Sequence, residues 1–244
     1  MSFVADDTNV GTDERTWLDH LAARGLPPLA LPTVTRAVVV APHPDDEVLA
    51  VGGLLRHLGR LGVDLVVVAV TDGEGSHPWM PASEVSHVRR AEAVAAHRAL
   101  GVDPLVVTCG FPDGGVAEDE VALAAVLAEL VGPGDLVIAP WCHDGHPDHD
   151  AAGRAASSVA AEAGAPRLAY PVWAWHWASP GGGQLPLDAA VVHRLDAGDR
   201  LAKAAAVAAF TSQLEVRAGP DPDPILSPRV LSRFARPFEI LLAP

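Results

Sequence analysis

Positive charge is scarce in this chain. Its 244 residues hold a single lysine, Lys203, and 17 basic against 31 acidic side chains give a formal net charge of −14. No basic run exceeds Arg89-Arg90, which argues against a nucleic-acid partner, since phosphate binding needs a concentrated basic face. Long apolar runs are missing as well. The longest, such as Leu65–Val70, are strand-sized, far from the roughly 18–20 residues of a membrane span. The stretch MSFVADDTNVGTDER is polar and acidic and lacks the apolar segment of a signal peptide. Two cysteines, Cys109 and Cys142, make no disulfide framework and fit a reducing cytoplasm. Disorder is excluded by 49% hydrophobic and 20% charged residues, enough to bury one substantial core. What the chain does have is histidine, eleven in all. Histidine is mostly neutral near pH 7 and does little for solubility, so the placement of these residues matters.

Residues 12–24 (TDERTWLDHLAAR) put Trp17, Leu18 and Leu21 on one face behind an acidic first turn, which predicts a short amphipathic helix packed as an appendage. The following Gly25-Leu-Pro-Pro-Leu-Ala-Leu-Pro breaks the helix, so residues 1–35 read as helix plus linker and residues 36–244 as one domain. In that domain strand and helix patterns alternate: Ala37–Ala41, Val48–Leu61, Leu65–Val70, Ser83–Leu100, Leu105–Thr108, Glu118–Leu130, Leu136–Ala139 and Asp150–Ala163. This run of βα units predicts an α/β fold with a doubly wound, mostly parallel sheet and helices on both faces. Beyond Arg167 come C-terminal β additions: strands over Leu168–Trp177, Ala190–Leu195 and Phe238–Leu242, with a helix at Asp199–Phe210. Ser179-Pro-Gly-Gly-Gly and Gly219-Pro-Asp-Pro-Asp-Pro read as loops at a pocket rim.

Two histidine clusters stand at equivalent places. Ala41-Pro-His43-Pro-Asp45-Asp46-Glu47 follows the first strand of the sheet, and His143-Asp-Gly-His146-Pro-Asp148-His149-Asp150 follows the strand Leu136–Ala139. Both loops lie at the carboxyl edge where α/β sheets bind ligands, and both carry His-Pro-Asp. If their strands are neighbours, imidazoles and carboxylates converge. Imidazole nitrogen with carboxylate oxygen suits zinc, and three protein ligands leave a position for water, the mark of a catalytic rather than a structural site. Asp46 is a ligand candidate with His43. Asp45 beside it is placed as general base, and His146 as the acid, with Asp148 to orient a histidine and raise its pKa.

HPDDE at His43–Glu47 with HPDH at His146–His149 resembles the PIG-L (LmbE-like) zinc-dependent N-deacetylases, which remove acyl groups from N-acylated amino sugars and related conjugates. Intermediate landmarks follow in order from about Arg36 to Phe238: Thr71-Asp-Gly-Glu74, Arg89-x-x-Glu92, Leu100-Gly101 and Phe111-Pro-Asp113-Gly114. The resemblance implies a Rossmann-like fold, a Zn2+ cofactor held by His43, Asp46 and His149, Asp45 as general base, and His146, supported by Asp148, as oxyanion stabiliser or proton donor. In the mycothiol branch, the residues matching Glu74, Arg89 and Asp113 hold the sugar. The implied reaction is removal of an N-acyl group, N-acetyl first of all, from an amino sugar or glycosylated metabolite. The alternatives are an amidase acting on thiol-sugar conjugates and a non-catalytic sugar-binding protein. A small N-acylated sugar is the expected partner, with no membrane or nucleic acid involved, and a homo-oligomer is compatible with the sequence.

One segment departs from the thiol-sugar branch. Trp173-Ala-Trp-His-Trp177, read as a strand, sets three indoles on one side, as core, dimer contact or a stacking platform at the pocket mouth. His77 lies on a loop at the same sheet edge, and His143 and His176 border the site. His20, His57, His87, His97 and His193 read as surface residues. Cys142 reads as a buried small hydrophobe.

Overall fold

The computed structural model describes residues 11–216 and 223–243. The polar stretch read over residues 1–10 and most of the Gly-Pro-Asp-Pro segment lie outside them. Seven strands, β1 (Arg36–Ala41), β2 (Asp64–Ala69), β3 (Leu105–Thr108), β4 (Asp135–Pro140), β5 (Arg167–Tyr170), β6 (Ala190–Arg194) and β7 (Phe238–Leu242), make one sheet in the order β3-β2-β1-β4-β5-β7-β6. β1 to β5 pair in parallel, while β7 runs antiparallel to both β5 and β6. The doubly wound, mostly parallel sheet with C-terminal additions is therefore as expected.

The continuous apolar strands follow from burial on both faces. Ala37, Val39 and Ala41 of β1 face one core, shared with α1 (Glu14–Arg24), α2 (Asp46–Arg60) and α3 (Ala82–Leu100). Val38 and Val40 face the other, shared with α4 (Glu120–Leu130) and α5 (Pro147–Ala163). Ala151, Ala152, Ala155 and Ala156 of α5 are all buried. With so little side chain between them, α5 lies close on β4. A Cβ on Gly153 would stand 2.5 Å from the Pro140 carbonyl oxygen, so only glycine permits this approach.

The described residues also form α7 (Ala197–Val207) and three short helices, α6 (Ala174–Trp177), α8 (Thr211–Leu214) and α9 (Pro228–Ser232). Two expectations are corrected here. The strand read through Trp177 stops at Tyr170, and Trp173–Trp177 turns into α6, so the three indoles do not share a face. Trp175 is buried, whereas Trp177 is exposed. Trp175 packs edge-on against Trp17 at 5.1 Å. Trp17 is itself fully buried, with its Nε1 donating to the Trp175 carbonyl at 3.1 Å. The amino-terminal helix is thus part of the main core rather than an appendage.

α2 is interrupted at Val51, whose φ of −134° and ψ of 18° break the helical ladder. The freed amides of Gly53 and Leu54 donate to Glu239 Oε1 and Oε2, both at 2.8 Å. Lys203 Nζ donates to the same carboxylate at 2.6 Å. β7 and α7 thereby fix the bend that aims the first turn of α2.

Candidate functional site

β1 and β4 are adjacent and parallel, with Arg36 opposite Asp135 and Val39 opposite Ile138. From this pair the chain winds in opposite directions, β1 towards β2 and β3, β4 towards β5, and α2 and α5 leave on opposite faces. The crevice between the two loops is the topological switch point of the sheet. Both His-Pro-Asp loops open into it. On one side the Asp45 amide donates to the His43 carbonyl at 2.8 Å, and Asp46 and Glu47 form the first turn of α2. On the other, α5 begins at Pro147, three residues earlier than its periodicity suggests. His146 is then the N-cap, and Asp148 and His149 occupy the first turn.

Three donor atoms converge at the centre. His43 Nδ1 and His149 Nε2 each lie 3.1 Å from Asp46 Oδ2 and 3.2 Å from one another. Donors held at about 2.0–2.2 Å from a common ion stand roughly 3 to 3.5 Å apart, so the triangle has the size of one face of a metal's coordination shell. The outer nitrogens of both rings face carboxylates: His43 Nε2 is 3.3 Å from Asp148 Oδ2 and 3.4 Å from Asp113 Oδ1, and His149 Nδ1 is 2.9 Å from Asp144 Oδ2. In their neutral forms the rings then carry protons outside and lone pairs inside, where only another acceptor, Asp46, awaits them. Such a cluster calls for a cation. His146 joins the set, since ring nitrogens of His43, His146 and His149 lie within 4.8 Å of one another. The protein therefore has a His/Asp group that could hold a metal ion.

The electrostatics agree. Burial opposes charge on His43, yet Asp113, Asp148 and Asp46 hold its imidazole well above the ordinary value. Burial likewise opposes charge on His149, but Asp46 and Asp144 raise it to about 9. Asp46 is driven the other way: although burial favours its neutral form, His149 and His43 hold it well below the usual carboxylate range. The carboxylates create a negative field that holds protons on imidazoles, or a metal ion in their place.

Around this centre stand the other candidates. Asp45, 6% exposed, is paired with Arg89 Nη2 at 3.0 Å. Burial is the largest influence and raises its pKa to about 6, against the opposing charge of Arg89. Arg89 itself is 3% exposed and also donates to the Gly73 carbonyl at 3.2 Å, so it stands behind Asp45 rather than facing an open pocket. Asp113 accepts from the Gly75 amide at 2.9 Å; burial works to raise it, but His43 and that amide bring it to about 2. Glu74 Oε1 accepts from the Asp113 amide at 2.9 Å, while Glu74 Oε2 is buried with no hydrogen-bond partner in the protein.

Asp148 does not sit quite as expected. Its carboxylate accepts from the Gly114 and Val116 amides at 2.7 and 3.1 Å and lies against His43, whereas its backbone amide donates to His146 Nδ1 at 3.2 Å. Its charge does act to raise the pKa of His146. Burial, then His43 and His149, outweigh it and bring His146 down to about 4. An Nδ1 that accepts a hydrogen bond leaves the proton of the neutral ring on Nε2. Trp173 stacks on the same ring at 6.0 Å and 26°.

The sequence reading assigns Asp144 no role and marks Glu47 only as an acid held by the metal or by a histidine. Asp144, fully buried, lies against His149 and receives three backbone amides from Val172, Trp173 and Ala174 at 2.8, 2.9 and 3.0 Å. Glu47, the last residue of HPDDE, lies 2.8 Å from His97 Nε2. His97 is 5% exposed and not the surface residue its place on a helix suggested, and the one signal for it was the acidic neighbour of the first motif. His77 is buried beside Trp79, at 5.4 Å between rings, and lies outside the groups of converging donors found among the described residues. His143 is exposed, Cys142 is only half-buried, and His176 lies 5.6 Å from Trp173.

A switch-point crevice lined by a His/Asp group able to hold a metal ion defines a class: doubly wound α/β proteins with a metal-binding edge. Within that class the chain belongs to the PIG-L family, described as GlcNAc-PI de-N-acetylase, whose profile matches residues 38–160, half of the chain. A Bacillus cereus protein named "Probable N-acetyl-alpha-D-glucosaminyl L-malate deacetylase 2" is 32% identical over 127 residues, covering 48% of this chain and 57% of that protein. A 1D-myo-inositol 2-acetamido-2-deoxy-alpha-D-glucopyranoside deacetylase of a Mycobacterium species is 32% identical over 150 residues, covering 50% and 49%. The chain thus spans about half the length of the curated relatives it matches. A conserved protein of Thermus thermophilus, solved by crystallography, superimposes with a TM-score of 0.61 at 25% identity, covering 87% of this chain and 95% of that one.

Proposed function

We propose that this chain is a zinc-dependent N-deacetylase that frees the amine of an N-acetylated amino sugar, with residues 36–244 as one catalytic domain. The observation that carries the reading is the 3.1–3.2 Å triangle of His43, Asp46 and His149 with a buried, easily protonated carboxylate, Asp45, next to it in the chain. We assign the triangle as the metal ligands. Two imidazoles and a carboxylate suit zinc, and when bound there the ion supplies Lewis-acid chemistry, polarising a carbonyl and making water more acidic.

Asp45 takes the proton of the attacking water. A carboxylate with a pKa of about 6 is ionised at neutral pH, yet basic enough to accept that proton and pass it to the amine nitrogen as the C–N bond breaks. His146 has the opposite character. Held near 4, it is neutral and offers an Nε2–H, which suits it to donating a hydrogen bond to the oxyanion rather than releasing a proton. Asp148 orients both histidines, His43 through its carboxylate and His146 through its backbone amide. Glu74 Oε2, buried and unpartnered, fits a sugar hydroxyl. Arg89 positions Asp45, and Asp113 borders the pocket at His43. The names of both curated relatives describe a glucosaminyl group carrying an N-acetyl, which supports that substrate class. No described helix is long and apolar enough to cross a membrane. With two free cysteines, the cytoplasm is the proposed location.

The test is a screen of N-acetylglucosaminides with released amine as the readout, run on wild type and Asp45→Asn. The variant is expected to lose about 10²–10⁴-fold in kcat with unchanged zinc content. An Asp45→Asn protein as fast as wild type would refute the assignment.

A further inference from the structure

Resting on that reading, we infer that Asp144 is a positioning residue that sets His149 for the metal and, through the same carboxylate, fixes the aromatic wall beside His146. Asp144 has no exposed surface. Its Oδ2 lies 2.9 Å from His149 Nδ1 but too far off the N–H axis for a formed hydrogen bond, so the contact between them is electrostatic. A carboxylate oxygen offers only lone pairs. At that distance a bare Nδ1 would repel it, so the ring proton belongs on Nδ1 and Nε2 is left bare, facing His43 Nδ1 and Asp46 Oδ2.

Asp144 also holds the segment whose alternating indoles read as a strand. Oδ1 accepts from the amides of Val172 and Ala174, and Oδ2 from that of Trp173. Its backbone carbonyl receives the indole N–H of Trp177 at 2.7 Å. Trp173 starts this turn and stacks on His146. One buried side chain thus places a ligand imidazole and, by capping α6, the ring that flanks the second catalytic histidine. Loss of its charge reaches both.

Asp144→Asn tests this. An asparagine keeps one oxygen for the Val172 and Ala174 amides but turns a donor towards His149, which must then expose a bare Nδ1 and carry its proton on Nε2, where the ion binds. Zinc affinity measured by chelator competition is expected to fall about 10- to 100-fold. The ¹⁵N spectrum of zinc-loaded wild type is expected to show His149 protonated at Nδ1 and ligating through Nε2, and this holds whether or not the variant folds. A zinc affinity in Asp144→Asn within about twofold of wild type, or His149 ligating through Nδ1, overturns the role. A wild-type chain that takes up no zinc overturns the metal reading along with it, whereas a zinc-binding wild type with an unaffected variant overturns only the role of Asp144.

Discussion

Asp45 and Asp46 are neighbours in sequence with opposite electrostatic fates. Both are buried, which favours the neutral acid, but Asp46 stands between His43 and His149 while Asp45 has Arg89 as its main cationic partner. The first is therefore held as a carboxylate and the second is left near the pH at which it can exchange protons. His146 is shaped by its neighbours in the same way, and its ring is shared with Trp173. If Trp173 also forms a wall of the sugar pocket, Trp173→Leu is expected to raise KM about two- to tenfold, the worth of one aromatic stacking contact. Lower stability with unchanged KM would assign Trp173 to the core alone. The motif residues were legible because His-Pro-Asp occurs twice at the same kind of junction. Asp144 was not: three residues beyond Trp141, it looks like an ordinary turn former, and its role depends on the chain returning at Val172.

Among the elements, α2 shows how distant segments set the site. Its bend at Val51 exposes two amides that Glu239 of β7 must cap, and Lys203 of α7 balances that carboxylate. Both charges are nearly inaccessible, at 3% and 4% exposure. Lys203→Met leaves a buried carboxylate without its cation and is expected to cost about 3 to 5 kcal/mol, read as a lower urea midpoint. A midpoint equal to wild type would show that water or another residue meets Glu239. Most of the helices and parallel strands could be read from periodicity because they are buried on the face their pattern marks, the exception being the edge strand β3, whose Leu105 and Val106 are exposed. Trp173–Trp177 could not, since alternating indoles imitate a strand while Asp144 caps the segment into a turn. Nor did the helical pattern of Val48–Leu61 betray the interruption at Val51, which is set by a side chain almost two hundred residues away.

For the whole molecule, the sheet order decides what the loops can do. Adjacent β1 and β4 bring together residues separated by about a hundred positions, as the sequence reading required but could not itself establish. The scarcity of positive charge also acquires a structural meaning. The one lysine lies in the interior beneath α2, and the buried acids Asp45, Asp46, Asp144 and Asp148 gather around imidazoles at the crevice. An ion bound there links strands, loops and both flanking helices, so it should stabilise the chain as well as activate it. The most direct measurement is a zinc titration of chelator-stripped protein, following amine release from an N-acetylglucosaminide. Activity is predicted to be lost on stripping and to return in proportion to zinc, levelling off at one ion per chain. Full turnover by the metal-free protein would contradict the account.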